Sequence, residues 1–212
     1  MQYSGLQVLA WMLLLVGTGA LVASIATDYW SVHEMPVIGQ SVVMHRGLLR
    51  QCTRAEVLAF YKHDCTNRWS ELVDEVRKLD DGGQFTLSRQ NMKAFEIITV
   101  ALIGLSVVVA ALTLLFGPCT CHKCGCCVTF WVLLSAVCSA TAIGLYAYYT
   151  VHGETMTLNI LGQTVSTQIN EDRLDNLAWS FYLAVGGCVC QILSGLFFGC
   201  ARARTHSYSH TI

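Results

Sequence analysis

The chain has 212 residues, of which 54% are hydrophobic and 13% are charged, and its mean hydropathy is +0.50. Soluble domains carry about 25% charged residues, so this composition indicates a membrane protein. The formal net charge of −1 argues against nucleic acid as a partner.

The first apolar run, residues 6–26, contains no charged residue. A hydrocarbon core of about 30 Å needs about 20 helical residues, so the run is long enough to cross a bilayer. A cleaved signal peptide is the alternative, but no basic residue precedes the run, and signal peptides have a shorter apolar region of about 7 to 15 residues. We therefore expect an uncleaved signal anchor. Three further runs have similar length and composition, and the predicted spans are 6–26, 95–116, 128–148 and 177–200.

The polar segment 28–93 separates the first two spans and predicts a small mixed domain. Trp30 lies near its start, and β-branched residues with Pro36 and Gly39 indicate strands up to about residue 52. Between Trp69 and Leu79, apolar residues recur at intervals of three and four, the period of an amphipathic helix. The segment is thus expected to form a small β-sheet with one short helix.

Cys52 and Cys65 are the only cysteines in segment 28–93, whereas the other nine lie in or beside apolar runs. An isolated pair in a displayed loop favours a disulfide in an oxidising compartment. Closing this loop would stabilise the fold by about 3 kcal/mol in the loop-entropy model, which matters for a domain with little core of its own.

The second polar loop, 150–176, contains an alternating pattern over 157–165 that is typical of a hairpin or an added strand. In the spans, Ala136, Ala140 and Gly144 lie four apart and predict close helix packing. Gln191 is expected to form a hydrogen bond between helices.

Charge placement predicts the orientation. Four spans put both termini on one side of the membrane. The loop 117–127 and the tail 201–212 contain Lys123, Arg202 and Arg204 but no acid, so both are expected in the cytoplasm. Loops 28–93 and 150–176 are then extracellular, and the chain is a multi-pass protein of the plasma membrane.

No motif of an enzyme is present: the sequence has no phosphate-binding glycine loop, no Gly-x-Ser-x-Gly and no His-Glu-x-x-His. The spans contain no Asp, Glu, Lys, Arg or His except Glu96 at an edge, which argues against a transported-ion site. We expect neither an enzyme nor a resident cofactor.

The inner loop is rich in cysteine, and three interpretations remain open. Thiols at the cytoplasmic ends of spans are well placed for S-palmitoylation, which is the favoured interpretation. Unmodified thiols are the second, and a zinc site built from Cys119, Cys121, Cys124 and Cys126 is the third. Cys138, Cys188 and Cys190 are expected to be small buried hydrophobes. The acylation candidates are Cys119, Cys121, Cys124, Cys126, Cys127 and Cys200.

The ectodomain carries a recognisable signature, with a Trp followed by a Gly-Leu-x-x-x-Cys motif and a second Cys. These residues are Trp30, Gly47, Leu48, Leu49, Cys52 and Cys65. In signature and layout the chain resembles the claudin superfamily, which includes the peripheral myelin, epithelial membrane and lens fibre membrane proteins and the calcium-channel gamma subunits. Leu49 stands where the family has a Trp that seats the sheet on the outer membrane surface. The resemblance implies a left-handed bundle of four transmembrane helices and an extracellular β-sheet with Cys52 bonded to Cys65.

The resemblance implies a structural protein at cell contacts, contributing to adhesion or to a paracellular barrier. Its partners would be membrane lipids and, by self-association or in mixed assemblies, related four-span proteins. The alternative is an auxiliary subunit of a channel or receptor, because the segment 178–184 resembles the fourth-span entry of the gamma-subunit and lens or epithelial membrane branch. The terminal Ile212 is a candidate ligand for a PDZ scaffold.

Segment 28–93 contains nine acidic and nine basic residues. Pore-forming members of the family line the gap between cells with charges of one sign. The balanced sum therefore predicts a barrier or adhesive protein without a strong preference for cations or anions.

Overall fold

The computed structural model describes residues 5–37, 40–57, 60–67, 90–120, 125–152, 155–160, 163–168 and 177–209. The described residues form four helices: α1 (Gly5–Ala26), α2 (Gln90–Thr120), α3 (Gly125–His152) and α4 (Trp179–Ser209). Each contains a segment long and apolar enough to cross a membrane, and these are Gly5–Ala26, Glu96–Phe116, Cys127–Tyr148 and Trp179–Ala201.

Four strands form one antiparallel sheet in the order β1-β2-β3-β4. They are β1 (Ser31–Val37), β2 (Gln40–Arg46), β3 (Arg50–Val57) and β4 (Phe60–Asn67). Two further strands, β5 (Thr155–Ile160) and β6 (Gln163–Gln168), pair as a separate antiparallel hairpin. The predicted fold class, four membrane-spanning helices with a small extramembrane sheet, is confirmed. The short helix predicted near Trp69–Leu79 lies outside the described residues.

Several boundaries differ from the sequence-based expectation. The sheet continues beyond residue 52, because β3 runs to Val57 and its partner β4 follows. These strands carry many charged residues, so their apolar alternation is weak and the sequence does not reveal them. The second candidate span ends at Phe116, as predicted, and the helix that contains it, α2, continues to Thr120.

The described chain forms two compact units. We call Met1–Ala26, Val100–Ala142 and Tyr182–Ile212 the helical unit, and Thr27–Thr99 with Ile143–Phe181 the sheet unit.

The core of the helical unit joins side chains from all four helices. The buried residues of this cluster are Ala10, Leu14, Ala110, Val128, Val132 and Phe198. Trp11 packs edge-to-face against Phe198, with ring centroids 4.9 Å apart. Many large apolar side chains on the outer surface are exposed, as helices that contact lipid require.

Serine and glutamine side chains tie the helices of this unit together. Ser139 and Gln191, both fully buried, form the interhelical hydrogen bond of 3.0 Å that the sequence led us to expect. Ser106 and Ser135 bond at 3.0 Å, and Ser194 donates to the carbonyl oxygen of Ala10 at 2.7 Å. In hydrocarbon, such polar groups need internal partners, so these bonds favour one pairing of the helices.

The predicted small-residue stripe on α3 packs only in part. Ala136 is buried, whereas Ala140 and Gly144 are exposed. An i to i+4 step turns a helix by about 40° beyond a full turn, so a series of such steps rotates away from the contact.

Candidate functional site

The register of the sheet places buried side chains of β1 and β2 on one face. Ser31 pairs with Arg46 and His33 pairs with Met44, and all four of these side chains are buried. On β3, Arg50 and Arg54 are exposed and share the opposite face, since alternate residues of a strand point the same way. The side chains of Cys65 and Asn67 on β4 are exposed on that face too.

Trp30, the first signature residue, is the fully buried centre of an aromatic cluster. Its ring lies 4.8 Å from the ring of Tyr146 in α3 and 5.9 Å from that of Phe181 in α4, both in edge-to-face geometry. Such aromatic pairs contribute about 0.5–1.5 kcal/mol each beyond their buried area. Trp30 thus binds the first strand to the ends of two helices within the sheet unit.

Hydrogen bonds also hold Trp30 and its neighbour Ser31 in place. The amide of Trp30 donates to the carbonyl of Arg46 at 3.0 Å, and the amide of Ala178 donates to the carbonyl of Trp30 at 3.0 Å. The hydroxyl of Tyr146 donates to Ser31 at 3.2 Å. The segment that leads into α4 therefore pairs with the start of the sheet, and Ser31 forms a bridge with Leu177.

Gly47, Leu48 and Leu49 form the turn between β2 and β3. The amide of Gly47 donates to the carbonyl of Arg50 at 2.8 Å. A Cβ atom on Gly47 would lie 2.7 Å from the Cα of Asp28 and 2.9 Å from the carbonyl oxygen of Thr27. Only glycine allows the turn to approach the chain that leaves α1 so closely, which explains its place in the signature. Leu48 is buried and Leu49 is half-buried.

Arg46 and Glu96 form an ion pair in the sheet unit, where their side chains are 8% and 11% exposed. Sequence reasoning missed this pair. The available signal was Glu96 itself, because an acid at the edge of a span requires a partner. Arg46 brings the required charge from the last residue of β2.

Cys52 and Cys65 form the expected disulfide. They lie directly opposite each other in the register of β3 and β4, and their Cα atoms are 4.1 Å apart. The bond covalently joins β3 to the edge strand β4, close to the turn that approaches Thr27 and Asp28.

The described cysteines outside the sheet differ in exposure. Cys127 and Cys200 are exposed, Cys138 and Cys190 are half-buried, and Cys188 is buried. The expectation that Cys138, Cys188 and Cys190 are buried thus holds fully for Cys188 alone. The side chains of Cys119, Cys121, Cys124 and Cys126 lie outside the described part of the chain, as does Ile212. Within the described part, no group of His, Cys, Asp and Glu side chains could hold a metal ion.

A family model described as PMP-22/EMP/MP20/Claudin tight junction matches residues 8–199. The chain belongs to this family. No curated protein matches the sequence significantly. Membership in the claudin superfamily agrees with the four apolar helices, the four-stranded sheet and the disulfide, and it makes this chain a multi-pass membrane protein.

The signature residues hold the sheet in place. Trp30 and Gly47 fix one end of the sheet by packing, and the disulfide fixes two strands to each other. Leu49, which stands where the resemblance predicts a Trp, is half-buried in the turn. Arg50 and Arg54 on β3, and Cys65 and Asn67 on β4, are exposed.

Proposed function

We propose that this claudin-like protein acts structurally at cell-cell contacts, where it contributes to adhesion or to a paracellular barrier. The observation that carries the proposal is the rigid sheet, which is fixed by the Cys52–Cys65 disulfide and the buried Trp30 and presents an exposed face on β3 and β4. A surface that binds another cell must hold its shape without the partner, because ordering it on binding would weaken affinity. No catalytic role is part of this proposal.

The proposed orientation places both termini in the cytoplasm and the sheet outside the cell. The basic residues Lys123, Arg202 and Arg204, in segments without acids, support this orientation through the positive-inside rule. The disulfide supports it independently, since disulfides persist in oxidising compartments.

A second candidate function is that of an auxiliary subunit within the membrane. It is favoured by the exposed aromatic side chains of Trp179 and Tyr182 at the entry of α4, in the segment that resembles the gamma-subunit branch. Large exposed aromatic side chains at a helix end could pack against the helices of a channel or receptor.

The experiment that separates the two functions uses cells without junctions of their own. Cells expressing the fluorescently tagged protein are mixed with untagged, non-expressing cells. Adhesion between copies predicts enrichment at contacts between two expressing cells, and none at contacts with non-expressing cells. An even surface distribution at both kinds of contact would contradict the proposal and favour the auxiliary subunit. The same assay is made with Cys52→Ser, which removes the disulfide. Its matched control is Cys188→Ser, which changes a cysteine outside the sheet.

A further inference from the structure

We propose that Arg50, at the base of the β2–β3 turn, binds the phosphate of a phospholipid headgroup in the membrane that the four helices cross. This site goes beyond the proposed function and does not depend on it. It is argued from the position of the turn, from the aromatic side chains beside it and from the charge of Arg50.

The turn lies at the end of a membrane span. Its Gly47 is so close to Thr27 and Asp28 that a Cβ atom would clash with their backbones. These two residues directly follow Ala26, the last residue of the first candidate span. Arg50 is held to the same place, because its carbonyl oxygen accepts the hydrogen bond of Gly47 at 2.8 Å.

Two aromatic side chains independently indicate the level of the headgroups. Tyr29 follows the first span by three residues, and Trp179 is the first residue of the fourth span. Their ring centroids are 6.0 Å apart, and the side chains are 41% and 54% exposed. Exposed Tyr and Trp at the ends of spans lie preferentially at the membrane interface. Tyr29 also contacts His45, with centroids 4.7 Å apart, and His45 pairs with Cys52, two residues from Arg50.

The guanidinium of Arg50 is available for an anion. The side chain is exposed, and within the described residues it takes part in no ion pair. The nearby acid, Asp28, is half-buried. A guanidinium matches the geometry of a phosphate and can donate two parallel hydrogen bonds to it. At the interface, a lipid phosphate is the anion present at high local concentration, which favours it over an acidic protein partner.

Arg54 provides a matched comparison within the same strand. It is exposed on the same face as Arg50 but lies four residues further from the turn, about 13 Å along an extended strand. The proposal requires that Arg50 contacts lipid phosphate and that Arg54 does not.

The test is solid-state NMR of the full chain in phosphatidylcholine nanodiscs in phosphate-free buffer. Arginine is labelled with ¹⁵N, and dephasing of the guanidinium signal by ³¹P reports proximity to phosphate. We expect Arg50→Gln to remove a dephased component that Arg54→Gln leaves intact, and Arg50→Lys to restore lipid binding. In native mass spectrometry, Arg50→Gln should lower retained phospholipid roughly tenfold, the effect expected for one charge-assisted hydrogen bond.

Nanodiscs of a galactolipid without phosphate separate the two sources of the anion. In galactolipid nanodiscs, ³¹P should no longer dephase the guanidinium signal of Arg50. Adding inorganic phosphate should not restore this dephasing. Restoration by inorganic phosphate would overturn the assignment to a lipid. If Arg50→Gln leaves the dephasing unchanged, or if only Arg54→Gln removes it, the proposal that Arg50 binds phosphate is wrong. Loss of self-association in Arg50→Gln, with unchanged phospholipid retention, would instead assign Arg50 to a protein partner. An intact Cys52–Cys65 bond and a monodisperse sample confirm that each variant is folded.

Discussion

A Cβ atom on Gly17 of α1 would lie 2.8 Å from the carbonyl oxygen of Gly187 in α4, and one on Gly187 would lie 2.9 Å from that of Gly17. Each glycine therefore makes room for the backbone of the other helix. Close approach of this kind is how membrane helices gain packing energy, because lipid gives apolar side chains no further reason to associate.

Substituting either glycine should destabilise the helical unit. Gly17→Ala and Gly187→Ala place a methyl group against backbone atoms, which cannot move aside as a side chain can, and overpacking of this kind costs about 1–3 kcal/mol. Gly19→Ala and Gly186→Ala are the controls, since nothing lies within 4 Å of their Cβ positions. Thermal unfolding of the purified protein in detergent measures the difference. Equal losses in all four variants would show that the contact is not what matters.

The Arg46–Glu96 pair should behave as a buried ion pair. Glu96→Ala or Arg46→Ala leaves one charge without its partner, and breaking such a pair costs about 3–5 kcal/mol. The double variant Arg46→Met with Glu96→Leu should lose less than either single variant, because it leaves no buried charge. Surface delivery and thermal stability are the measurements. Additive losses in the double variant would argue that the two side chains act separately.

The disulfide should be required for delivery to the cell surface. Cys52→Ser and Cys65→Ser should each destabilise the sheet by about 3 kcal/mol, the loop-entropy value for a bridge of this size. The double variant should be no worse than either single one, since the same bond is lost. Surface biotinylation measures delivery. A free thiol at either position on intact cells would contradict the prediction.

We propose that the cysteines of segment 119–127 and Cys200, on the proposed cytoplasmic side, are acylated. Cys127 is the first residue of the third candidate span and Cys200 lies near the end of the fourth, and both are exposed. Acyl exchange, which replaces each thioester with a mass tag, should show a shift that Cys127→Ser with Cys200→Ser reduces and that is lost when the 119–127 cysteines are also changed. Cys188→Ser should leave it unchanged, because that thiol is buried and donates to the carbonyl of Ala136 at 3.7 Å. Bound zinc in purified protein without a hydroxylamine-sensitive label would favour the metal site instead.

An epithelial layer expressing the protein should show little charge selectivity. Nine acidic and nine basic residues balance in segment 28–93, so no net potential attracts counter-ions over a Debye length of about 8 Å. Dilution potentials should give a sodium-to-chloride permeability ratio close to that of untransfected cells. A large change in this ratio that is reversed by charge swaps at Arg50 or Glu75 would contradict the prediction.

The sequence by itself determined the four apolar helices, the family signature and the cysteine pair. Hydropathy over about 20 residues and the isolation of two cysteines are local properties that need no coordinates. The sequence predicts that Gln191 forms a hydrogen bond between helices, because an amide within a span needs a partner. Only the structure identifies that partner as Ser139.

The tertiary structure decided which residues meet. Arg46 and Glu96 are 50 residues apart, and each appears in the sequence only as an isolated charge. Gly17 and Gly187 are two of 17 glycines, and only the crossing of α1 and α4 distinguishes them from Gly19 and Gly186. Strands β3 and β4 carry a weak apolar pattern, so their pairing depends on the register that brings Cys52 opposite Cys65. These contacts depend on three-dimensional distance and direction, which are set by the packing of the whole chain rather than by any local pattern.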